Sequence, residues 1–322
     1  MTARLTLQEV ADYLRAHDNY LLLSHRRPDG DTVGSCAALC RALRAMGKQA
    51  WVYANPQFTP KFMPYLDGLT LRPEQFSIFN SQFSIVACDI ASRGLFPFGM
   101  EDAEVALAID HHGTNDGFAA RTHADETKAA CGELLVDLLP LLGVDMTKEM
   151  AEALYVAIST DTGCFRYVNT TANTFRAAAA CAAAGAELYP INRLFFDTRR
   201  LARLRLEAHL TEHMEFFADG KVAVSAIPDS LISGLGLTED DIDDISGFGR
   251  TVEGVEIAAM LREVEDGRGK ISLRCSPAYS AARICARLGG GGHPGAAGAT
   301  VEGGIPAARA AVLASIAEEL AL

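Results

Sequence analysis

Val105-Ala106-Leu107-Ala108-Ile109 runs directly into Asp110-His111-His112-Gly113, and this junction decides how the chain is read. Five apolar residues without alternation suit a short strand of a parallel sheet covered on both faces. A carboxylate and two imidazoles where such a strand stops are costly to bury unless they bind something. The junction recurs elsewhere. Tyr20–Leu23 leads into His25-Arg26-Arg27-Pro28-Asp29-Gly30-Asp31, Ser84–Cys88 leads into Asp89, and Tyr155–Thr160 leads into Asp161. Ligands of open α/β sheets bind in this place, outside the carboxyl ends of the strands.

Outward from these junctions the pattern is of alternating strands and helices. Thr6-Leu7-Gln8-Glu9 has the form of a capping box and opens an amphipathic helix to about Ala16. Strands are expected at 20–24, 49–53, 84–88 and 105–109, and helices at about 33–46, 130–142, 147–159 and 171–184. The stretch 190–217 is Arg/Leu-rich and helical in pattern. After Asp219-Gly220 the texture changes to strands at 221–227, 254–263 and 270–276, with Asp266-Gly267-Arg268-Gly269 as a hairpin turn, then helices at 280–287 and from 305. The fold class expected is α/β. A doubly wound, mostly parallel sheet occupies residues 1–187, a helical connector 188–218, and a smaller α+β domain 219–322.

Composition narrows the function. A chain that is 49% hydrophobic and 22% charged is that of a soluble globular protein. It shows no apolar run that would span a bilayer and no signal-peptide core at its start, so the expectation is a cytoplasmic protein away from membranes. The eight cysteines form no CxxC pair. They read as buried reduced thiols rather than a zinc knuckle. A net charge of −12 argues against long duplex nucleic acid, whose grip needs a basic face, and permits short anionic substrates held by a few arginines. The pattern leaves the oligomeric state open, a homodimer included.

Carboxylate together with imidazole suits a borderline or hard divalent ion such as Mn²⁺. The candidates are His25, Asp29, Asp31, Asp89, His111, His112 and Asp161. One ion takes three or four protein ligands, so this many at four junctions points to two ions per chain sharing a carboxylate. Two ions so placed can clamp a phosphoryl group between them. Singly, each aspartate also reads as a turn or helix-cap residue. A second constellation is Gly289-Gly290-Gly291-Gly292-His293-Pro294-Gly295-Ala296-Ala297-Gly298, whose backbone N–H groups can approach an anion closely. Arg274 and Ser276 end a strand nearby and add phosphate donors. Arg283 and Arg287 read as surface helix charges, His17 and His123 as solvated, and Asp240–Asp244 as a solvated acidic helix face. His209-Leu-Thr-Glu212-His213 matches the H-x-x-E-H pattern of inverted zinc proteases, on a charged helix where that spacing arises by chance.

With those residues in view, the chain resembles the DHH phosphoesterases, in their NrnA-type branch, over nearly its whole length. The resemblance rests on His25-x-x-Pro28-Asp29-Gly30-Asp31-x-x-Gly34-Ser35, on Asp89, on Asp110-His111-His112, on Thr160-Asp161-Thr162-Gly163 with Phe165-Arg166-Tyr167, and on the GGGGHPGAAG stretch. It implies hydrolysis of very short oligoribonucleotides to mononucleotides and dephosphorylation of 3′-phosphoadenosine 5′-phosphate (pAp), with two Mn²⁺. His25, Asp29 and Asp89 would hold one ion. Asp31, Asp89, His111 and Asp161 would hold the other. His112 would act at the scissile phosphate and Asp110 would orient a histidine. Arg274, Ser276, Gly291, Gly292 and His293 would grip the substrate from the second domain, across a cleft between the two. Relatives that cleave cyclic dinucleotides or their linear products are the nearest alternative. RecJ-like processive cleavage and pyrophosphate hydrolysis fit the charge and the glycine loop less well. A non-catalytic nucleotide-binding module would be expected to have lost metal ligands.

Overall fold

The structure, a computed structural model, describes residues 2–79, 83–242, 245–264 and 267–321. It divides into two compact units, 1–198 and 199–322, so the stretch expected as a connector, 188–218, is shared between them.

Among the described residues, unit 1 is built on seven parallel strands: β1 Ala3–Arg4, β2 Tyr20–Leu23, β3 Ala50–Tyr53, β4 Thr70–Leu71, β5 Ser84–Cys88, β6 Leu107–Asp110 and β7 Arg121–Ala124. Their order across the sheet is β1-β7-β6-β5-β2-β3-β4. The chain leaves β2 toward β3 and β4, then returns to build β5, β6 and β7 on the other side, so the order reverses between β2 and β5. In open parallel sheets such a reversal opens a crevice at the carboxyl ends of the strands. The helices are α1 Leu7–Ala16, α2 Gly30–Ala45, α3 Met63–Leu66, α4 Cys131–Leu142, α5 Lys148–Asp161, α6 Ala172–Ala183 and α7 Leu188–Asn192. Tyr20 and Leu22 point into the core shared with α1, α2, α4 and α5, while Leu21 and Leu23 join a second core with Phe96, Ile90 and Val105. This is the two-sided burial that an unalternating apolar strand requires. The capping box at Thr6 and Glu9 is present.

α2 is almost wholly buried, and it packs along α5 so closely that glycine is needed. A Cβ on Gly34 would lie 2.1 Å from the carbonyl oxygen of Ala153, and one on Gly30 would meet the side chain of Thr160. The start of α2 therefore lies against the end of α5, which brings Asp29 and Asp31 to Asp161.

Unit 2 contains α8 Leu201–His213, β8 Glu215–Phe217, β9 Val222–Ile227, α9 Asp229–Leu235, α10 Glu239–Ile242, β10 Ile257–Glu263, β11 Gly269–Cys275, α11 Ala281–Ala286, β12 Gly291–His293, β13 Ala296–Val301 and α12 Gly304–Leu320. The sheet order is β12-β13-β11-β10-β9-β8, antiparallel except for β9 beside β10. Leu273, Ala297 and Ile271 pack on the side where α11 and α12 lie.

Two readings of surface charge are corrected here, and a third gains a partner. Arg283 and Arg287 are exposed at α11 as expected, and both also hold the buried carboxylate of Glu319, which accepts from the N–H of Ser280 as well; a buried carboxylate must be paired. His123 lies on β7, half-buried, with Nδ1 2.9 Å from the carbonyl of Leu5. Within the acidic run Asp240–Asp244, Asp241 is buried and accepts from the N–H and hydroxyl of Thr238 while pairing with Arg200. Asp243 and Asp244 lie outside the described residues, as does Asp266 of the expected hairpin turn between β10 and β11.

Candidate metal centre

Each candidate ligand is placed by a strand end or a helix end. Asp29 is the N-cap of α2, accepting from the N–H groups of Asp31 at 3.0 Å and Thr32 at 3.1 Å. It is thus both a helix cap and a member of the cluster. Asp31 is fully buried, and α4 points its N-terminus at it. The N–H groups of Cys131 and Gly132 donate to its two oxygens at 2.6 and 2.9 Å, and the Ser35 hydroxyl adds a third contact. Helix N-termini favour an anion in this position. His25 and Asp89 follow neighbouring strands, and the Thr32 hydroxyl ties the two ends together by bonding the carbonyl of Cys88.

Asp89 is the centre. It follows β5 directly, with φ of 59°, a left-handed conformation uncommon outside glycine. One oxygen lies 3.7 Å from His25 Nε2; the other lies 3.4 Å from His111 Nε2 and 3.5 Å from His112 Nδ1. Three sets of ligand atoms each fall within 4.8 Å of one another: His25, Asp29 and Asp89; Asp89, His111 and His112; Asp31, His111 and Asp161. Asp89 and His111 each appear in two sets. All six expected ligands are therefore brought together.

The rings have defined roles. His111 Nδ1 lies 3.2 Å from the carbonyl of Lys128. That contact commits Nδ1 as a donor and turns Nε2 toward the carboxylates, as second-layer contacts do for metal-binding histidines. His112 Nδ1 lies 2.8 Å from Asp110 Oδ1, which also accepts from the N–H groups of His111 and His112. Its other oxygen accepts from Asn115 Nδ2 at 2.6 Å. Asn115 is oriented unambiguously, because its carbonyl accepts from the N–H of Gly117 and its amide also donates to the carbonyl of Ile90. Asp110 is surrounded by donors, so it is an acceptor, and His112 carries its proton on Nδ1.

Electrostatically the cluster is strained without cations. Burial pushes the Asp31 carboxyl up to about 8, with the charge of Asp161 adding to it. Burial and the neighbouring aspartates push Asp89 well above the carboxylate range, and burial raises Asp161. Burial opposes ionisation at Asp29 and Asp110 as well, but hydrogen bonds from His25 and the α2 backbone, and from His112 and Asn115, hold them below it. The hydrogen bond to Asp110 raises His112. The centre opens into a cleft of about 440 Å³ lined by His25, Arg26, Arg27, Asp29, Asp89, Leu95, His112 and Asp161.

The donor set fits a metal centre. Asp89 Oδ1 is buried with no hydrogen-bond partner among the described residues, and four carboxylates with two imidazoles converge where a cation would relieve their repulsion. Sequence reasoning passed over Asn115, the α4 amides, Arg27 and Leu95. Asn115 reads as a turn former, and backbone amides leave no residue signal.

In unit 2 the glycine stretch forms an edge hairpin, β12 against β13. A Cβ on Gly290 would lie 2.2 Å from the carbonyl of Gly298, and Gly292 has φ of 144° with Ala296 and Ala297 at 2.6 Å from its Cβ position. Two of the glycines are thus demanded by the chain's own backbone; Gly291 faces open space. The register pairs His293 with Ala296 and Ala296 with Arg274. Directly opposed residues share a face, so Arg274 and His293 flank a small alanine, on the face opposite Leu273. Ser276 is buried with a hydroxyl that has no partner among the described residues. His209 and His213 stack on each other, and His213 Nδ1 is occupied by the carbonyl of His209; they join none of the ligand sets found among the described residues.

The family model for the DHH N-terminal domain matches residues 19–158, and that for the DHHA1 domain matches residues 219–321. A relative from Thermus thermophilus, named a bifunctional oligoribonuclease and PAP phosphatase NrnA, is 36% identical over 97% of this chain and 93% of its own length. The chain belongs to the DHH family. A Bacillus subtilis protein of the same name is 24% identical over 91% of this chain and 92% of its own. The DHH fold is shared with an exopolyphosphatase-related protein from Bacteroides fragilis, with a TM-score of 0.86 at 23% identity, covering 97% of this chain and 95% of that one. No helix among the described residues of this DHH chain is long and apolar enough to cross a membrane.

Proposed function

We propose that this chain is a two-Mn²⁺ phosphohydrolase that degrades short oligoribonucleotides to mononucleotides and removes the 3′-phosphate of pAp. The observation that carries the reading is Asp89, buried between two overlapping ligand sets and reaching His25 with one oxygen and His111 with the other. The names of the relatives point to the same substrates. His25, Asp29 and Asp89 would hold one ion, and Asp31, Asp89, His111 and Asp161 the other. When bound there, divalent ions would supply charge neutralisation at phosphorus and an activated water.

The chain's own groups do the rest. Asp110, fixed by Asn115, holds His112 with its proton on Nδ1, which leaves Nε2 as the ring atom offered to the phosphate. When protonated, Nε2 stabilises the leaving oxygen. Arg274 and His293 in unit 2 grip a nucleotide phosphate or base, with Ser276, Gly291 and Gly292 beside them.

The test is Mn²⁺-dependent hydrolysis of 5′-phosphorylated RNA from dimers to 24-mers, of pAp, and of a cyclic dinucleotide with its linear form, alongside metal content per chain. Preference for dimers to pentamers with pAp cleavage, at two ions per chain, is the expected result. Preference for the cyclic compound would move the chain to second-messenger turnover, and inertness toward every substrate with metal bound would refute the substrate class.

A further inference from the structure

The cleft holds two adjacent arginines in different states. Arg26 is fully engaged: its Nε donates to the carbonyl of Phe96 at 3.1 Å, and its guanidinium lies 4.5 Å from the centre of the Phe98 ring and 3.9 Å from Glu101. Arg27 lines the same cleft and is exposed. Among the described residues it makes no hydrogen bond or ion pair, although Asp29, Asp89 and Asp161 line the cleft with it. Its backbone is nonetheless held. Pro28 follows it and restricts its conformation, and the N–H of Arg26 donates to the carbonyl of Leu95 at 2.6 Å. Leu95, 43% exposed, is the large apolar member of the lining.

The cleft therefore has a floor and a rim. Asp89 and His25 are 3% and 16% exposed and make the floor, where the cleaved phosphate belongs. Arg27 and Leu95 are exposed and make the rim. Bound cations satisfy the floor carboxylates, which leaves the Arg27 fork for an anion that comes with the substrate, and guanidinium recognises phosphate with two parallel hydrogen bonds.

We infer that this rim is a nucleotide subsite within unit 1: Arg27 binds a substrate phosphate other than the one cleaved, and Leu95 packs against the sugar or base that joins the two. The inference rests on the phosphohydrolase reading and adds a selectivity to it. Substrates carrying a second phosphate are preferred over those whose single phosphate is the one cut.

The probes are the dinucleotide ApA, whose only phosphate is scissile, and its forms with a further phosphate on the 5′ or the 3′ end. Wild-type protein should prefer one of the phosphorylated forms by kcat/KM. Arg27→Ala should shrink that preference by about tenfold to a hundredfold, the range of a charge-assisted hydrogen bond; Arg27→Lys should fall between. Leu95→Ser should raise KM for all three without changing the preference. An equal loss on all three in Arg27→Ala, or no loss, overturns the assignment. Binding provides the second readout: calorimetry with AMP and with an uncleavable phosphonate analogue of pAp, on manganese-loaded protein. Arg27→Ala should weaken the analogue more than AMP, and an unchanged difference overturns the subsite. Wild-type protein inert toward every dinucleotide would refute the hydrolase reading, while the binding comparison would still decide the subsite.

Discussion

Asp89 shows what a single residue does here. Its strained backbone and its partnerless buried oxygen are both unfavourable in the metal-free chain, so the position is set by function rather than stability. Asp89→Asn is expected to lower hydrolysis by at least about a thousandfold, the several kcal/mol that a clamping ion contributes. The melting temperature of the metal-free protein should stay level or rise, most at high pH, because the amide never has to ionise in a buried place. Wild-type activity in that variant would refute the shared-carboxylate centre. Asn115→Ala acts one step back, by loosening Asp110 and with it His112. About tenfold to a hundredfold is the expected loss of kcat, with metal content unchanged; a loss of metal instead would show that Asn115 supports the whole centre. The ligands were legible in the sequence because His and Asp at strand ends are chemically conspicuous. Asn115 was not, since asparagine after a tight triplet reads as turn chemistry. Glu319 was invisible too, because the two arginines that bury it lie more than thirty residues away in the chain.

At the scale of elements, the contact between α2 and α5 sets the distance between Asp31 and Asp161. Gly34→Ala would force its methyl against the backbone of Ala153. Overpacking of this kind costs about 1–3 kcal/mol, and here it should also weaken Mn²⁺ binding, because separating the helices pulls the ligands apart. Calorimetric unfolding and a metal titration on the same variant test both; a stability loss with unchanged affinity would uncouple the packing from the site. The glycine hairpin makes an internal comparison. Gly290→Ala should destabilise unit 2, whereas Gly291→Ala, facing open space, should leave its unfolding unchanged. If Gly291 meets substrate, its alanine variant raises KM alone. The apolar strands and capped helices were readable because burial on both faces leaves continuous hydrophobic runs. β1 and β4, two residues each, and β7, which reads Arg-Thr-His-Ala, carry no such run and emerge only from pairing with neighbours.

For the whole molecule, protons and cations compete for one cluster. Burial raises Asp31 to about 8, and raises Asp89 and Asp161; the hydrogen bond to Asp110 raises His112, and the surrounding carboxylates outweigh burial to raise His111. Raised groups bind protons more tightly folded than unfolded. The metal-free fold therefore holds extra protons between about pH 4 and pH 8, and its stability falls as pH rises through that window. Asp29 and Asp110, held low, withdraw their contribution only below about pH 4. Metal-stripped protein should melt at a lower temperature at pH 8 than at pH 5. Added Mn²⁺ should stabilise it most at pH 8, where fewer protons must be displaced; a melting temperature that climbs toward pH 8 without metal would contradict the electrostatics. The strand order has a consequence in time as well. β2 and β5 are neighbours, yet β3 and β4 are synthesised between them, and Asp161 follows last. At ribosomal speed, His25 is made on the order of 10 s before Asp161. No nascent chain that ends before Asp161 carries both ligand sets, so full metal loading can report only on a chain in which every strand of unit 1 has already been made.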